Sequence, residues 1–202
     1  MADLFDVLAP FYERLIPPPD PQVLQTLLAL KPEHTLLDAA GGTGRVATVF
    51  SSGLARTVVC DASSRMLAQA RRKGLETVLT EVETLPFADA TFDRVLLVDA
   101  FHHVRDQATA LRELLRVLKP DGKLVIEEPD IRRWPVKIVA LMEKAACMRS
   151  CFVSLDRMLA QITRCGGHAR LEHADRFRIW LSVTSSEPSN RSDTPADGEI
   201  SG

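Results

Sequence analysis

Apolar residues at Leu4, Phe5, Leu8, Phe11, Tyr12 and Leu15 recur at the three- and four-residue spacing of one helix face, and the pattern stops at the proline run 17–19. A helix over 2–15 is therefore expected at the start of the chain. A second is expected over 21–30, with Asp20 as N-cap and Pro21 at the first helical position, where the missing amide hydrogen costs nothing. From Thr35 the period changes. Short apolar runs at 35–40, 57–61, 77–81, 94–99 and 123–127 have strand length, while 45–50, 64–73 and 106–118 between them carry helical patterns. Strands alternating with helices of this length need crossover connections, which predict an α/β domain with a parallel sheet covered on both faces. Helix formers then dominate 135–149 and 155–165, the latter ended by Gly166 and Gly167. Two β-like runs follow at 168–174 and 177–184. Only Asp175 and Arg176 separate them, a link of hairpin length that forces antiparallel pairing. Residues 186–202 are mostly Ser, Pro, Asp and Gly and are expected to form a disordered tail.

The junction between the first strand and its helix, TLLDAAGGTGRV at 35–46, is where the pattern acquires chemistry. An apolar run ends in Asp38, and Gly41, Gly42 and Gly44 follow, so the backbone can turn sharply and a ligand can approach where a side chain would block it. A carboxylate at this point repels a pyrophosphate but suits a ligand carrying a positive amino group. Gly42, Gly44 and the spacing to Ala47 also fit a dinucleotide-binding turn, so NAD stays open on this motif alone. Asp61 ends the second strand 19 residues after Gly42, where an acid can accept both hydroxyls of a ribose; the alternative role is an N-cap for the helix that follows. Asp99, His102 and His103 fall at the carboxyl edge of the fourth strand, the edge at which open α/β sheets bind ligands. A histidine there, titrating near neutrality, is a candidate base, and His103 is the one chosen; the alternatives are helix capping and solvent exposure. A metal site is not expected of the pair, because adjacent side chains on a strand point to opposite faces and no further ligands cluster nearby. Glu127, Glu128 and Asp130 read by default as solvated strand-end charges.

Composition narrows the picture. A chain of 202 residues accommodates one α/β domain with a full core. The formal charge of −2, with acids and bases interspersed, gives no field for nucleic acid or anionic lipid. Cys60, Cys147, Cys151 and Cys165 show no CxxC pairing and no secretory leader precedes them, so reduced thiols in a cytoplasmic protein are expected. No apolar run approaches the ~20 residues of a membrane span.

Four blocks in order carry a resemblance: LLDAAGGTGR at 36–45, VVCDAS at 58–63, LPFADATFDRVLLVDAFHHV at 85–104 and LRVLKPDGKLVIEEPD at 115–130. Over about 5–185 the chain resembles the class I S-adenosylmethionine-dependent methyltransferases, and within them the ubiquinone and menaquinone C-methyltransferase branch. Ala40 stands where the commonest form of the first block has glycine, and Gly41 where it has cysteine, which is similar to the quinone-methylating branch. The resemblance implies a Rossmann-like, seven-stranded, mostly parallel sheet with an antiparallel last strand, formed by 34–185 and preceded by a helical lid or cap over 1–33. It implies S-adenosyl-L-methionine as cofactor, held by Asp38, Ala40, Gly42, Gly44, Asp61, Ala62, Met66, Glu81, Val82 and Asp99, with Glu81 accepting from the adenine amino group. Tyr12, His102 and His103 are implied on the substrate side, facing a small apolar or aromatic acceptor, and the resemblance places substrate contacts near Glu127, Glu128 and Asp130 as well. Met142, Met148, Phe152 and Met158 suggest an adaptable apolar wall there, although buried helix faces are their usual role. An NAD(P)-dependent oxidoreductase and a non-catalytic cofactor-binding protein are the alternative functions.

Overall fold

A computed structural model describes residues 19–132, 151–174 and 177–185. The expected helices over 2–15 and 135–149, Tyr12, the 175–176 link and the tail lie outside these residues. The strands are β1 (Thr35–Ala39), β2 (Arg56–Asp61), β3 (Glu76–Leu79), β4 (Phe92–Val98), β5 (Leu118–Pro129), β6 (Gly167–Ala174) and β7 (Arg178–Ser185). They form one sheet in the order β3-β2-β1-β4-β5-β7-β6. β1 pairs in parallel with both β2 and β4, and β7 lies antiparallel between β5 and β6. The seven-stranded, mostly parallel sheet is therefore the expected one. The strand order reverses at β1 and β4, so the connections leaving these strands diverge and open a crevice at their carboxyl ends.

Five described helices pack on the sheet: α1 (Pro21–Leu28), α2 (Ala47–Phe50), α3 (Ser64–Arg72), α4 (Gln107–Val117) and α5 (Leu155–Arg164). Their starts are written in the sequence as caps. The Asp20 carboxylate accepts from the Gln22 amide, the Ser63 hydroxyl from Met66, and the Asp106 carboxylate from Ala108 and Thr109. α1 ends two residues earlier than expected because Ala29 turns into the left-handed region (φ 46°) and its N–H caps the Gln25 carbonyl. β5 begins five residues earlier than expected, since Leu118 already pairs with Phe92 across a register shift. β3 stops at Leu79, so Glu81 lies beyond the strand. Among the described residues no helix is long and apolar enough to cross a membrane.

Period-two alternation divides the core. Leu37, Ala39, Val95, Leu97, Leu124 and Ile126 face α4 and α5, whereas Leu36, Leu96, Val98 and Val125 pack with Leu24 and Leu28 of α1. A smaller cluster joins Ala47 of α2 to Val59, Leu67, Ala70 and Leu75. Gly44 sits against that cluster with φ 69°, and a Cβ there would collide with Leu75 Cδ1 and stand 3.3 Å from the Ala70 Cβ. Gly44→Ala should therefore lower the unfolding free energy by about 2–3 kcal/mol in urea titration, whereas Gly53→Ala, which meets nothing within 4 Å, should stay within about 0.5 kcal/mol.

Candidate active site

The crevice holds an open cavity of ≈ 220 Å³ at the carboxyl ends of β1, β2 and β4. Its floor is built by the glycine turn. Ala40 adopts the left-handed region (φ 51°), the Gly41 amide donates to the Cys60 carbonyl at 3.0 Å, and Gly42 (φ 57°) donates to Asp61 Oδ2 at 2.9 Å. The other Asp61 oxygen accepts from the Ser63 amide at 2.7 Å. Ser63, not Asp61, is thus the N-cap of α3, and Asp61 latches the turn to β2 while facing the cavity. Carboxylate oxygens have lone pairs to spare, so this latch leaves capacity for further hydroxyl donors.

Asp38 lies beneath the turn, 1% exposed. Its Oδ2 accepts from the Ala47 amide at 3.2 Å, and among the described residues Oδ1 has no hydrogen-bond partner. Burial pushes the carboxyl up to about 7 against the opposing pull of the nearby Arg45 guanidinium. A Cβ on Gly41 would stand 2.5 Å from the Asp38 carboxyl carbon, so only glycine lets the chain pass over this group. Asp99 closes the neighbouring strand in a left-handed conformation (φ 54°) that is costly for a residue with a side chain. Its carboxylate is 4.0 Å from Arg45, and burial raises its pKa.

The far wall comes from the chain after β3 and β4. Val82 is buried in it, and Glu81 stands exposed at the rim, 3.7 Å from Arg105. Glu83 accepts from the amides of Arg105 and Asp106, at 3.0 and 3.1 Å, and so ties the two wall segments together. His103 lines the cavity, and burial followed by the neighbouring His102 lowers its pKa to about 3. A pKa that low leaves the ring in its neutral, proton-accepting form but makes it a weaker base than one titrating near neutrality.

Of the residues expected to hold the cofactor, Asp38, Ala40, Gly42, Asp61, Ala62, Met66, Glu81, Val82 and Asp99 line this one cavity. Gly44 does not, because its space is taken by Leu75. His102 does not either: it is 2% exposed, stacked on Phe152 at 4.3 Å and bonded through Nδ1 to Glu128 at 2.7 Å. The two histidines share a 3₁₀ turn rather than a strand, so their rings do not point to opposite faces but lie 4.0 Å apart. Among the described residues no group of three or more His, Cys, Asp or Glu is placed to hold a metal ion. Glu127, Glu128 and Asp130 are not solvated; all three are 3% exposed or less. Burial pushes Glu127 up to about 8 although Arg178 Nε lies 3.2 Å away. Arg45, with a side chain 7% exposed, and Arg105 are cavity residues that sequence reasoning missed. Only the closing arginine of the first block hinted at Arg45, and nothing in the sequence hinted at Arg105.

Residues 37–126 match the family model described as a methyltransferase domain. The chain is 38% identical over 153 residues to a demethylmenaquinone methyltransferase of Corynebacterium efficiens, covering 76% of this chain and 64% of that one. It is also 38% identical over 106 residues to a ubiquinone/menaquinone biosynthesis C-methyltransferase of Klebsiella pneumoniae, covering 47% and 42%. The chain thus spans less than two thirds of the length of these curated relatives. The crystal structure of the YcgJ protein from Bacillus subtilis superposes with a TM-score of 0.72 at 20% identity, covering 83% of this chain and 98% of that one, a likeness of fold.

Asp38 gives the ligand-free protein a defined pH dependence. Its pKa rises from 3.8 to about 7 on folding, so the cost of holding it ionised is absent well below pH 3.8, grows as pH climbs to 7, and is complete above that. Asp38→Asn should therefore flatten the fall in stability between pH 4 and 8 and raise the unfolding free energy at pH 8 by about 2–4 kcal/mol. Urea unfolding at several pH values checks this; an unchanged slope would show that Asp38 is not ionised at a cost.

Proposed function

From a chain that belongs to the class I S-adenosylmethionine-dependent methyltransferases, we propose an enzyme that methylates a small quinol-type acceptor, of the kind named for its demethylmenaquinone-methylating relatives. The observation that carries the reading is the Asp38 oxygen under the glycine turn that has no partner among the described residues, which favours a ligand with an ammonium group over one with a pyrophosphate at that point. An NAD-dependent chemistry would have to place its most negative group against this carboxylate.

The donor set fits the cofactor. Asp38 would take the methionine amino group, Asp61 the ribose hydroxyls and Glu81 the adenine amino group, with Met66 and Val82 as apolar walls. When bound, S-adenosylmethionine supplies a methyl group already activated on a sulfonium and open to in-line displacement. The protein's own task is then to orient and to exclude water rather than to provide a strong acid. His103, neutral and facing the cavity, accepts a hydrogen bond from an acceptor hydroxyl and orients the nucleophile, and the proton that the quinol loses on methylation leaves to solvent through the open cavity.

Calorimetric titration with S-adenosylmethionine, S-adenosylhomocysteine and NAD in parallel tests the cofactor. The two adenosyl ligands should bind and NAD should not. Asp61→Ala should weaken adenosyl binding by about 10- to 100-fold, part of it through release of the Gly42 amide. Binding of NAD alone would overturn the reading.

His103→Ala should lower kcat toward quinol acceptors by about tenfold while leaving affinity for S-adenosylhomocysteine within about threefold. Unchanged turnover would remove His103 from the acceptor side.

A further inference from the structure

One buried carboxylate on β5 controls the loop that follows β4. Glu128 Oε1 accepts from the Ala100 amide at 3.1 Å and from the Phe101 amide at 2.6 Å, while Oε2 stands 2.7 Å from His102 Nδ1. The Glu128 and His102 side chains are 4% and 3% exposed. A carboxylate can only accept, so the shared proton sits on His102 Nδ1. The His102 ring is then fixed on both sides: Phe152 stacks on it at 4.3 Å with 16° between planes, and the His103 ring lies 4.0 Å away. Its backbone is held as well, since the Cys151 amide donates to the His102 carbonyl at 2.6 Å. Of this set Ala100 and His103 line the cavity, and His103 is the one whose side chain titrates.

We propose that Glu128 is a positioning residue for the acceptor end of the site, acting through the loop amides and the His102 ring to fix where the His103 imidazole stands. It does not line the cavity. Three donors converge on this one buried carboxylate, so removing it releases the loop amides and the His102 ring at once. In its bearing on catalysis the inference rests on the methyl-transfer reading; the positioning itself does not.

Two substitutions separate the two arms of Glu128. Glu128→Gln keeps an oxygen for the loop amides but turns an amide donor toward His102, which must then give up its Nδ1 proton. Glu128→Ala removes both arms. Long-range ¹H–¹⁵N imidazole spectra of the full chain, which has five histidines, read the outcome directly. In the wild type His102 should show a protonated, hydrogen-bonded Nδ1. In Glu128→Gln that signal should disappear while the His103 resonances shift little. In Glu128→Ala the His103 resonances should move as well, and kcat toward quinol acceptors should drop at least about tenfold with affinity for S-adenosylhomocysteine within about threefold. A wild-type His102 without a proton on Nδ1, or His103 resonances identical in wild type and Glu128→Ala, would overturn the proposal. Should Glu128→Ala fail to fold, the wild-type and Glu128→Gln spectra decide it. Should the wild type fail to bind S-adenosylhomocysteine while the spectra behave as expected, the methyl-transfer reading falls and the positioning role stands.

Discussion

A carboxylate buried at the end of the central strand sets the terms for the residues around it. Asp38 is enclosed with one oxygen unpartnered among the described residues, and its desolvation cost is offset only in part by Arg45 and the Ala47 amide. The backbone must then cross over this group without touching it. Gly41 has no Cβ to collide with the carboxyl, Ala40 takes a left-handed turn to lead into it, and Gly42 is tied down from the side by Asp61. The glycine turn is shaped around a charge as much as around a ligand. In the proposed function the two coincide, because a ligand ammonium over Asp38 would return the interaction energy that burial removed.

Parallel strands end on one edge, and this multiplies the effect. The register places Ala39 beside Leu97 and Val98 beside Glu127, so the acids that follow or end β1, β4 and β5 gather at the same edge although they are far apart in sequence. Asp38, Asp99, Glu127 and Glu128 form an acidic seam, met by Arg45, Arg178 and His102. Burial raises the pKa of Asp38, Asp99 and Glu127 despite those cations, which marks the seam as a place where charge is held at a cost. Glu128 differs in that each oxygen has a donor, and it serves as the seam's fixed point.

Where local chemistry fixes local structure, the sequence was legible. Asp20 with Pro21, the alternation of apolar strands and helices, and the two-residue link before the last strand each predicted what is observed within a few residues. Legibility fell where tertiary contacts decide. Gly44 reads like its neighbours in the turn, yet Leu75, 31 positions on, makes it a packing residue. His102 and His103 are identical as letters, and only the 3₁₀ turn and Glu128 bury one while presenting the other. Solvated strand-end acids were a fair expectation from composition. It failed because the edge where a parallel sheet ends is itself enclosed by the loops that make the cavity. Arg105 was invisible for the same reason, since it is placed in the wall by tertiary contacts, its amide held by Glu83 and its side chain beside Glu81.

Burial acts with opposite sign on the two kinds of titratable group at this site. It raises the carboxyls and lowers the imidazole, so that both are driven toward their neutral forms in the ligand-free protein. A site so arranged is poorly suited to chemistry that needs a strong resident base. It is suited to a ligand that brings its own positive charge, because that charge restores the ionised state of the acids it meets and leaves a neutral imidazole to accept a hydrogen bond. An already activated donor matches this division: the charge arrives with the cofactor, and the protein contributes placement. In the proposed function the specificity of the acceptor end would reside in the geometry of His103 rather than in its titration. In the proposed arrangement that geometry is set one strand away, by a side chain that does not line the cavity.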